Sequence, residues 1–155
     1  MTLDPLNAPS GPLAALPLLK LERAGPVLHV RLARPAKRNS ISDELLGQLH
    51  TVFVNLPKDI RVTMLSGEGE HFCAGLDLSE VSERTVTEGM SHSRAWHACF
   101  DAIQYGPVPV IAVLHGAVVG GGLELASCAH IRVAEASTFY GLPEGTRGIF
   151  LGGGG

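Results

Sequence analysis

Alternating hydrophobic and polar positions indicate two strands in the first half of the chain. Residues 27–33 (VLHVRLA) and residues 60–65 (IRVTML) both alternate apolar side chains with polar or long ones. A two-residue period is typical of a half-buried strand. In the second half, the continuous apolar run over residues 110–114 predicts a strand that is covered on both faces. Residues 131–134 and 138–140 predict two further short strands.

Helical periodicity appears between these strands. Ser42 has the chemistry of an N-cap, and the apolar residues that follow recur at helical spacing until Pro57 stops the helix. A second helix is predicted over residues 91–105, and three consecutive glycines, Gly120 to Gly122, open a short third helix. Strands and helices therefore alternate along the chain, which predicts an α/β fold with parallel strand pairing.

Composition narrows the class of protein. The chain has 155 residues, of which 45% are hydrophobic and 17% charged, so it can bury a core and form one domain. The formal net charge of −3 provides no basic surplus for a nucleic-acid partner. No apolar run reaches about 18 residues, so no membrane-spanning helix is predicted. Three cysteines are an odd number, which argues against a secreted disulfide framework and favours a reducing cytoplasm.

The first 17 residues differ from the rest of the chain. They contain four prolines and no Lys or Arg, which excludes the helical hydrophobic region and the basic start of a signal peptide. We expect residues 1–17 to form a flexible N-terminal arm, and residues 18–155 to form the folded core.

The glycine triplet is the first candidate for chemistry. Its sequence, GAVVGGG, matches neither a P-loop nor a GxGxxG motif. The free N–H groups at a helix N-terminus favour an anion or a developing oxyanion. Glycines also permit tight packing of a helix on a strand, so both interpretations remain open.

Two glutamates with apolar sequence neighbours are the second candidate. Burial would raise the pKa values of Glu124 and Glu144 and fit them for general acid–base work, although they could equally be unrelated surface residues. Cysteine and histidine occur two residues apart at three places, but these pairs lie on different predicted elements. No CxxC or HExxH motif accompanies them, and no metal site is predicted.

Three sequence segments occur in an order that resembles the crotonase (enoyl-CoA hydratase/isomerase) family. They are HFCAGLDL, PVIAVLHGAVVGGGLELASCAHIRVA and FYGLPEGTRGIFLGGGG, and they follow a loop, RPAKRNSIS, that is also similar. The resemblance runs from about Leu21 to Gly155. It implies a crotonase-like spiral of ββα units, and it implies that a C-terminal helical part of roughly another hundred residues is absent from this chain.

The resemblance also implies a set of catalytic residues. Members of the family bind acyl-CoA thioesters without a further cofactor and stabilise an enolate on the thioester oxygen. By position in the motifs, the backbone N–H groups of Leu76 and Gly121 would form the oxyanion hole. Glu124 would activate a water molecule, Glu144 would exchange the proton at the carbon next to the thioester, and the amide of Gly152 would help to position the water.

Substrate-binding residues follow from the same resemblance. The small residues Ala74 and Gly75 would let the ligand approach the backbone, with the Ala74 carbonyl facing the adenine. Lys37 and Arg38 would contact the CoA phosphates, unless they belong to an ordinary solvated basic loop. Asp77 is a further candidate for substrate binding. Its position directly after Leu76 favours instead a role in bracing the loop that contains Ala74, Gly75 and Leu76.

These residues together predict an enoyl-CoA hydratase. The alternatives are an enoyl-CoA isomerase or an acyl-CoA thioester hydrolase of the same family, and a non-catalytic acyl-CoA-binding protein. The resemblance further implies a homotrimer or hexamer, and no nucleic-acid or membrane partner is expected.

Overall fold

The structure is a computed structural model that describes residues 4–5 and 11–153. Within these residues a six-stranded sheet has the order β1-β2-β3-β4-β5-β7, and a second sheet pairs β6 with β8. The strands are Asp4–Pro5 (β1), Leu19–Ala24 (β2), Val27–Leu32 (β3), Val62–Gly67 (β4), Val110–Leu114 (β5), Ala117–Val119 (β6), Ile131–Ala134 (β7) and Phe139–Gly141 (β8). The α-helices are Asp43–Val54 (α1), Val86–Gln104 (α2) and Gly121–Ser127 (α3), and Pro35–Lys37, Leu78–Glu80 and Glu144–Arg147 form short 3₁₀ helices.

Strand pairing confirms the predicted α/β class. The pairs β3–β4, β4–β5, β5–β7 and β6–β8 are all parallel. The first three strands instead pair antiparallel: β1 pairs with β2, and β2 forms a hairpin with β3. The sequence pattern did not predict this hairpin. Gly25 turns this hairpin with a φ of 55°, a conformation that glycine adopts without strain. β6 was also missed, because a strand of three residues has no recognisable period.

Side-chain caps determine where α1 and α2 begin. The Ser42 hydroxyl accepts a hydrogen bond from the Leu45 amide (3.1 Å), which confirms the predicted N-cap of α1. α2 begins at Val86, five residues before the predicted start. Thr85 and Glu88 cause this extension, since each side chain accepts a hydrogen bond from the other's backbone amide and the pair forms a capping box.

The hydrophobic core lies where α1 and α2 cover the large sheet. Core residues of the sheet come mainly from β3, β4 and β5, with Leu19 from β2, and those of the helices recur at helical spacing. Members of the core that are at most 2% exposed include Leu28, Val30, Leu32, Leu45, Leu49, Val52, Leu65, Phe100, Ile103, Val110, Ala112 and Leu114. This packing holds the loops that follow the strands, and those loops carry the candidate site.

Part of the predicted N-terminal arm is described. Residues 4–5 pair with Glu22 and Arg23 of β2, and Leu13 and Leu16 pack against the core. Residues 1–3 and 6–10 lie outside the described residues, and the boundary between arm and core stays a prediction. None of the described helices combines the length and the apolar character needed to cross a membrane.

Candidate active site

The loop from Ala74 to Asp77 is held to Ile41 by two backbone hydrogen bonds. Ile41 N donates to Gly75 O (2.7 Å), and Asp77 N donates to Ile41 O (2.9 Å). Successive N–H groups of an extended backbone alternate in direction, so the N–H of Leu76 points away from Ile41. Among the described residues, no acceptor receives a hydrogen bond from Leu76 N.

Glycines bring this loop against the start of α3. Gly75 has a φ of +98°, and a Cβ on it would lie 2.8 Å from the Val119 carbonyl oxygen. A Cβ on Gly122 would lie 2.4 Å from the Cys73 carbonyl oxygen. Distances below 3 Å leave no room for a side chain, so the packing interpretation of the glycine triplet is correct for Gly122.

Gly121 supplies a second backbone N–H beside that of Leu76. It is the first residue of α3, so its N–H has no acceptor within the helix, and no other described residue accepts from it. A Cβ on Gly121 would lie 3.7 Å from Leu76 N. In standard geometry that Cβ is about 2.5 Å from its own nitrogen, so the two nitrogens lie within about 6 Å of each other. That separation lets both N–H groups reach one acceptor.

Glu124 is fixed on α3, one turn after Gly121. Its side chain is buried, with 4% of the residue exposed, and Oε1 accepts a hydrogen bond from Gly153 N (2.8 Å). The sequence had indicated the amide of Gly152, which lines the same cavity. The neighbouring Gly153 was missed, because a contact across 29 residues has no local signal.

Glu144 approaches from the opposite side, at the start of a 3₁₀ helix. Its Oε2 is buried, and no described residue forms a hydrogen bond with it. Its Oε1 lies against Gly120, where a Cβ would come within 2.6 Å of that oxygen. The glutamate can therefore occupy this position because residue 120 has no side chain, and Gly120 also requires its φ of +54°.

One cavity of about 350 Å³ brings together all five residues predicted to be catalytic. They are Leu76, Gly121, Glu124, Glu144 and Gly152. α2 contributes a further wall of this cavity, which includes His92 and Trp96 and was not predicted from the sequence. The Trp96 indole packs on Gly121, where a Cβ would lie 2.8 Å from two carbons of the ring. A tryptophan at helical spacing looks like an ordinary core residue, so its sequence position did not reveal this contact.

Asp77 braces the loop and does not line this cavity. Only 5% of the residue is exposed. Its carboxylate accepts hydrogen bonds from the Ser79 hydroxyl (2.6 Å) and from Arg34 Nη2 (2.9 Å). These hydrogen bonds, that of Ser79 first, lower the pKa of Asp77 to about 2. The geometry therefore favours the bracing role over direct contact with substrate.

Asn39 joins the basic loop to the turn at residues 68–71, which precedes the loop from Ala74 to Asp77. Its side-chain amide donates to the backbone carbonyls of Glu68 (2.9 Å) and His71 (2.8 Å), and its Oδ1 accepts from Arg34 N (2.9 Å). The residue is fully buried and has a φ of +55°. Asn39 belongs to the segment RPAKRNSIS, and its role was not predicted from the sequence.

The basic loop lies beside the candidate ligand-binding loop. Ala74 N donates to Arg38 O (3.0 Å), which holds the two backbones together. The side chains of Lys37 and Arg38 are exposed and stay outside the 350 Å³ cavity. Ala74 lines a smaller adjoining cavity of about 100 Å³, which shares Leu76 and Glu144 with the larger one. The residues predicted to bind the substrate therefore lie beside the 350 Å³ cavity and do not line it.

The cysteines do not add reactive groups to the site. Burial raises the pKa values of Cys73, Cys99 and Cys128 to about 12, so these thiols stay protonated and are poor nucleophiles. Among the residues that the structure describes, no three His, Cys, Asp or Glu side chains are grouped as metal ligands would be.

Comparison with known proteins identifies the family. Residues 22–155 match the enoyl-CoA hydratase/isomerase family. The chain is 34% identical over 138 residues to a short-chain-enoyl-CoA hydratase of Clostridium acetobutylicum, covering 87% of this chain and 53% of the relative. It is 35% identical over 136 residues to the mitochondrial Delta(3,5)-Delta(2,4)-dienoyl-CoA isomerase of Mus musculus, covering 79% of this chain and 42% of the relative.

A solved structure supports the same assignment. A crystal structure from Rhodopseudomonas palustris, provisionally described as an enoyl-CoA hydratase, shares 56% sequence identity and superposes with a TM-score of 0.87. The superposition covers 90% of this chain and 54% of that one, and the chain spans about half the length of the relatives it matches. Fold, ordered sequence segments and similarity agree, and the chain belongs to the enoyl-CoA hydratase/isomerase, or crotonase, family.

Proposed function

We propose that this protein is an enoyl-CoA hydratase, which adds water across the 2,3 double bond of an enoyl-CoA thioester. The proposal rests on the groups that line the 350 Å³ cavity. Two backbone N–H groups without a described acceptor lie there with two carboxylates that reach it from different elements. Hydration needs both sets of groups, because negative charge develops on the thioester oxygen while water is activated and a proton is delivered.

The oxyanion hole is the first part of the proposed mechanism. The thioester oxygen accepts hydrogen bonds from Leu76 N and Gly121 N, and these bonds strengthen as the oxygen gains charge in the enolate. The donors belong to a braced loop and to a helix packed on Trp96, so they need little reorganisation during the reaction. Loss of one such donor typically costs about 3 kcal/mol of transition-state stabilisation.

The two carboxylates divide the proton transfers. Glu124, held by Gly153, activates the water that attacks the double bond, and the amide of Gly152 helps to position it. Glu144 delivers the proton to the carbon next to the thioester. Its buried Oε2 has no described partner, so that oxygen is available to water or substrate. We expect the two carboxylates to lie about 4–7 Å apart, which leaves room for one bridging water molecule.

The remaining contacts of the proposed substrate lie around the adjoining cavity. The Ala74 carbonyl faces the adenine, Gly75 allows the close approach, and Lys37 and Arg38 contact the CoA phosphates. The reaction needs no cofactor beyond the CoA thioester itself. Support comes from the backbone hydrogen bond that joins Ala74 to Arg38, since it keeps the basic loop beside the glycine-containing loop.

Hydration of crotonyl-CoA by the full chain tests this proposal. The wild-type protein is expected to remove the conjugated double bond, and Glu144→Gln is expected to lower kcat at least 10²-fold while acyl-CoA still binds. Glu70→Gln is the matched control, because Glu70 is exposed and lies outside the cavity. Near-normal hydration by Glu144→Gln would contradict the assignment.

Isomerisation is the second candidate, since the family includes both activities and one similar relative is a dienoyl-CoA isomerase. Moving a double bond needs a base and no added water. If Glu124→Gln keeps full activity while Glu144→Gln loses it, isomerisation becomes the better assignment. Thioester hydrolysis would appear as release of free CoA, and a non-catalytic binding protein would bind acyl-CoA without turnover.

We also propose a homo-oligomer, a trimer or hexamer, in the cytoplasm. Apolar side chains on β7 and β8 are about half exposed, namely those of Ile131, Val133, Phe139 and Tyr140. Covering them with another copy would remove this surface from water. The three cysteines are free, as in a reducing compartment. Light scattering that returned a stable monomer would contradict the oligomer.

A further inference from the structure

One face of α2 forms a wall of the candidate cavity. Its residues are Gly89, His92, Ser93 and Trp96, which recur at the spacing of a single helical stripe. Two of these four positions are polar and one is glycine. The rest of the lining includes the apolar side chains of Val81, Ile149 and Phe150, which suit an acyl chain. His92 and Ser93 are therefore polar exceptions in a mainly apolar wall.

Trp96 and Gly89 mark two ends of this wall. The indole packs directly on Gly121, so an acyl group anchored at the Gly121 N–H meets it first. Trp96 follows Gly89 by seven positions, which corresponds to about 10 Å along the helix. A Cβ on Gly89 would meet no atom within 4 Å, so the cavity is open at that end.

Polar side chains border this open space. Helical side chains lean towards the N-terminus of their helix, so His92 and Ser93 lie over the turn that contains Gly89. Ser93 Oγ and His92 Nδ1 have no hydrogen-bond partner among the described residues. An apolar chain that ended there would leave both groups without a partner, which has a free-energy cost.

His92 is held by Asp43, which lies outside the cavity, and by Trp96, which lines it. Its Nε2 lies 3.0 Å from Asp43 Oδ1 and 3.2 Å from Trp96 Nε1. A carboxylate only accepts hydrogen bonds, and an indole N–H only donates them. In the neutral ring, Nε2 therefore bonds either to Asp43 as a donor or to Trp96 as an acceptor. Nδ1 is then an acceptor in one tautomer and a donor in the other. A hydroxyl group can both donate and accept, so it pairs with His92 in either tautomer and also with Ser93.

We propose that this cavity takes an enoyl-CoA whose acyl chain carries a hydroxyl group at its far end, with His92 and Ser93 as the residues that determine this specificity. The inference rests on the proposed function for the anchoring of the thioester. It adds the chemical class of the acyl group, which the family membership leaves open.

Binding of saturated analogues tests the inference independently of turnover. Isothermal titration calorimetry with the full chain compares hexanoyl-CoA with 6-hydroxyhexanoyl-CoA, two ligands that differ by one oxygen and cannot be hydrated. The expected Kd of the hydroxylated ligand is at least 10-fold lower, and His92→Leu and Ser93→Ala each reduce that ratio towards one. His97→Leu is the control, because His97 is exposed on the same helix and outside the cavity.

A second variant covers the case in which His92→Leu fails to fold. Gly89→Leu places a side chain in the open end of the cavity and is expected to raise both Kd values about 10-fold. Gly47→Leu is its matched control, since Gly47 lies in α1, also faces open space and does not line this cavity. Equal Kd values for the two ligands in the wild-type protein would overturn the inference. Absence of crotonyl-CoA hydration would instead overturn the proposed function, so the two failures are distinguishable.

Discussion

The two sides of the candidate site are built in different ways. One side, the rigid wall, consists of the loop from Ala74 to Asp77 together with α3, and it is buried and joined to distant parts of the chain. The other side, the outer segment, consists of residues 142–152, which are half-buried or exposed. Its 3₁₀ helix contains no buried residue, and Phe150 is 80% exposed.

Each side contributes one glutamate, and the two glutamates differ accordingly. Glu124 lies on α3 and accepts a hydrogen bond from Gly153, so the fold fixes its position. Glu144 is carried by a segment held largely by local hydrogen bonds, and one of its buried oxygens has no described partner. An unpaired buried oxygen costs free energy in the absence of ligand, so we infer that Glu144 is the carboxylate most directly exposed to the reacting groups.

The largest expected effects concern these two glutamates. Glu124→Gln and Glu144→Gln are each expected to lower kcat for crotonyl-CoA hydration at least 10²-fold. Their effects on stability should differ. Glu124→Gln weakens the hydrogen bond from Gly153 N and should lower the free energy of unfolding by about 1–2 kcal/mol, whereas Glu144→Gln breaks no described side-chain hydrogen bond and should leave it unchanged. Urea unfolding measures this difference, and a greater loss for Glu144→Gln would reverse the comparison.

A glycine-to-alanine substitution on each side of the site should show that the rigid wall is more tightly packed than the outer segment. Gly122→Ala is expected to lower the free energy of unfolding by about 2–3 kcal/mol, because the new Cβ would collide with the Cys73 backbone carbonyl. Gly145→Ala, in the outer segment, meets no atom within 4 Å and should change stability by less than about 0.5 kcal/mol. Thermal unfolding of both variants provides the measurement, and similar losses would show that the outer segment is also tightly packed.

Acid titration tests the brace of the rigid wall. The pKa of Asp77 is about 2 in the folded protein, below its ordinary value of 3.8. The ionised carboxylate therefore stabilises the fold above about pH 4, and this contribution is lost as the pH falls towards 2. Asp77→Asn should cost about 2 kcal/mol at neutral pH and remove that part of the acid dependence.

An exposed ion pair provides the control for the Asp77 variant. Asp59 lies 2.7 Å from Arg23, but its carboxylate is largely in contact with water. Solvent screening makes such pairs weak, so Asp59→Asn should have a much smaller effect at neutral pH. Equal losses for the two variants, measured by urea unfolding at several pH values, would argue against a special role for the brace.

The smallest expected effect lies within the outer segment. The Thr146 hydroxyl donates to the Pro143 carbonyl oxygen (2.6 Å), and this bond is exposed and local. Thr146→Ala should change the free energy of unfolding by less than about 0.5 kcal/mol. The KM for crotonyl-CoA measures whether this bond also positions Glu144. An unchanged KM would show that Glu144 is positioned by its packing against Gly120 and not by the hydrogen bond of Thr146.

Local patterns in the sequence predicted the main elements of the fold. The N-cap at Ser42, the strand predicted at residues 27–33 and the strand predicted at residues 110–114 depend on neighbouring residues, and the structure confirms the cap and both strands. Only one face of the second strand is fully buried, since Ile111 and Val113 on the other face are half-buried. The hairpin strand β2 and the early start of α2 were missed. β2 is defined by its antiparallel partner, and the additional turn of α2 depends on a reciprocal cap whose side chains must first meet.

The sequence by itself determined the family resemblance, because ordered segments with small residues and two glutamates are specific even without coordinates. It also predicted the five residues that the structure brings into one cavity. Only the tertiary structure decided how those residues are held. The hydrogen bond from Gly153 to Glu124, the packing of Trp96 on Gly121 and the polar face that includes His92 join residues far apart in the chain. No local period encodes such contacts, since they exist only after the strands and helices have packed and brought their loops together.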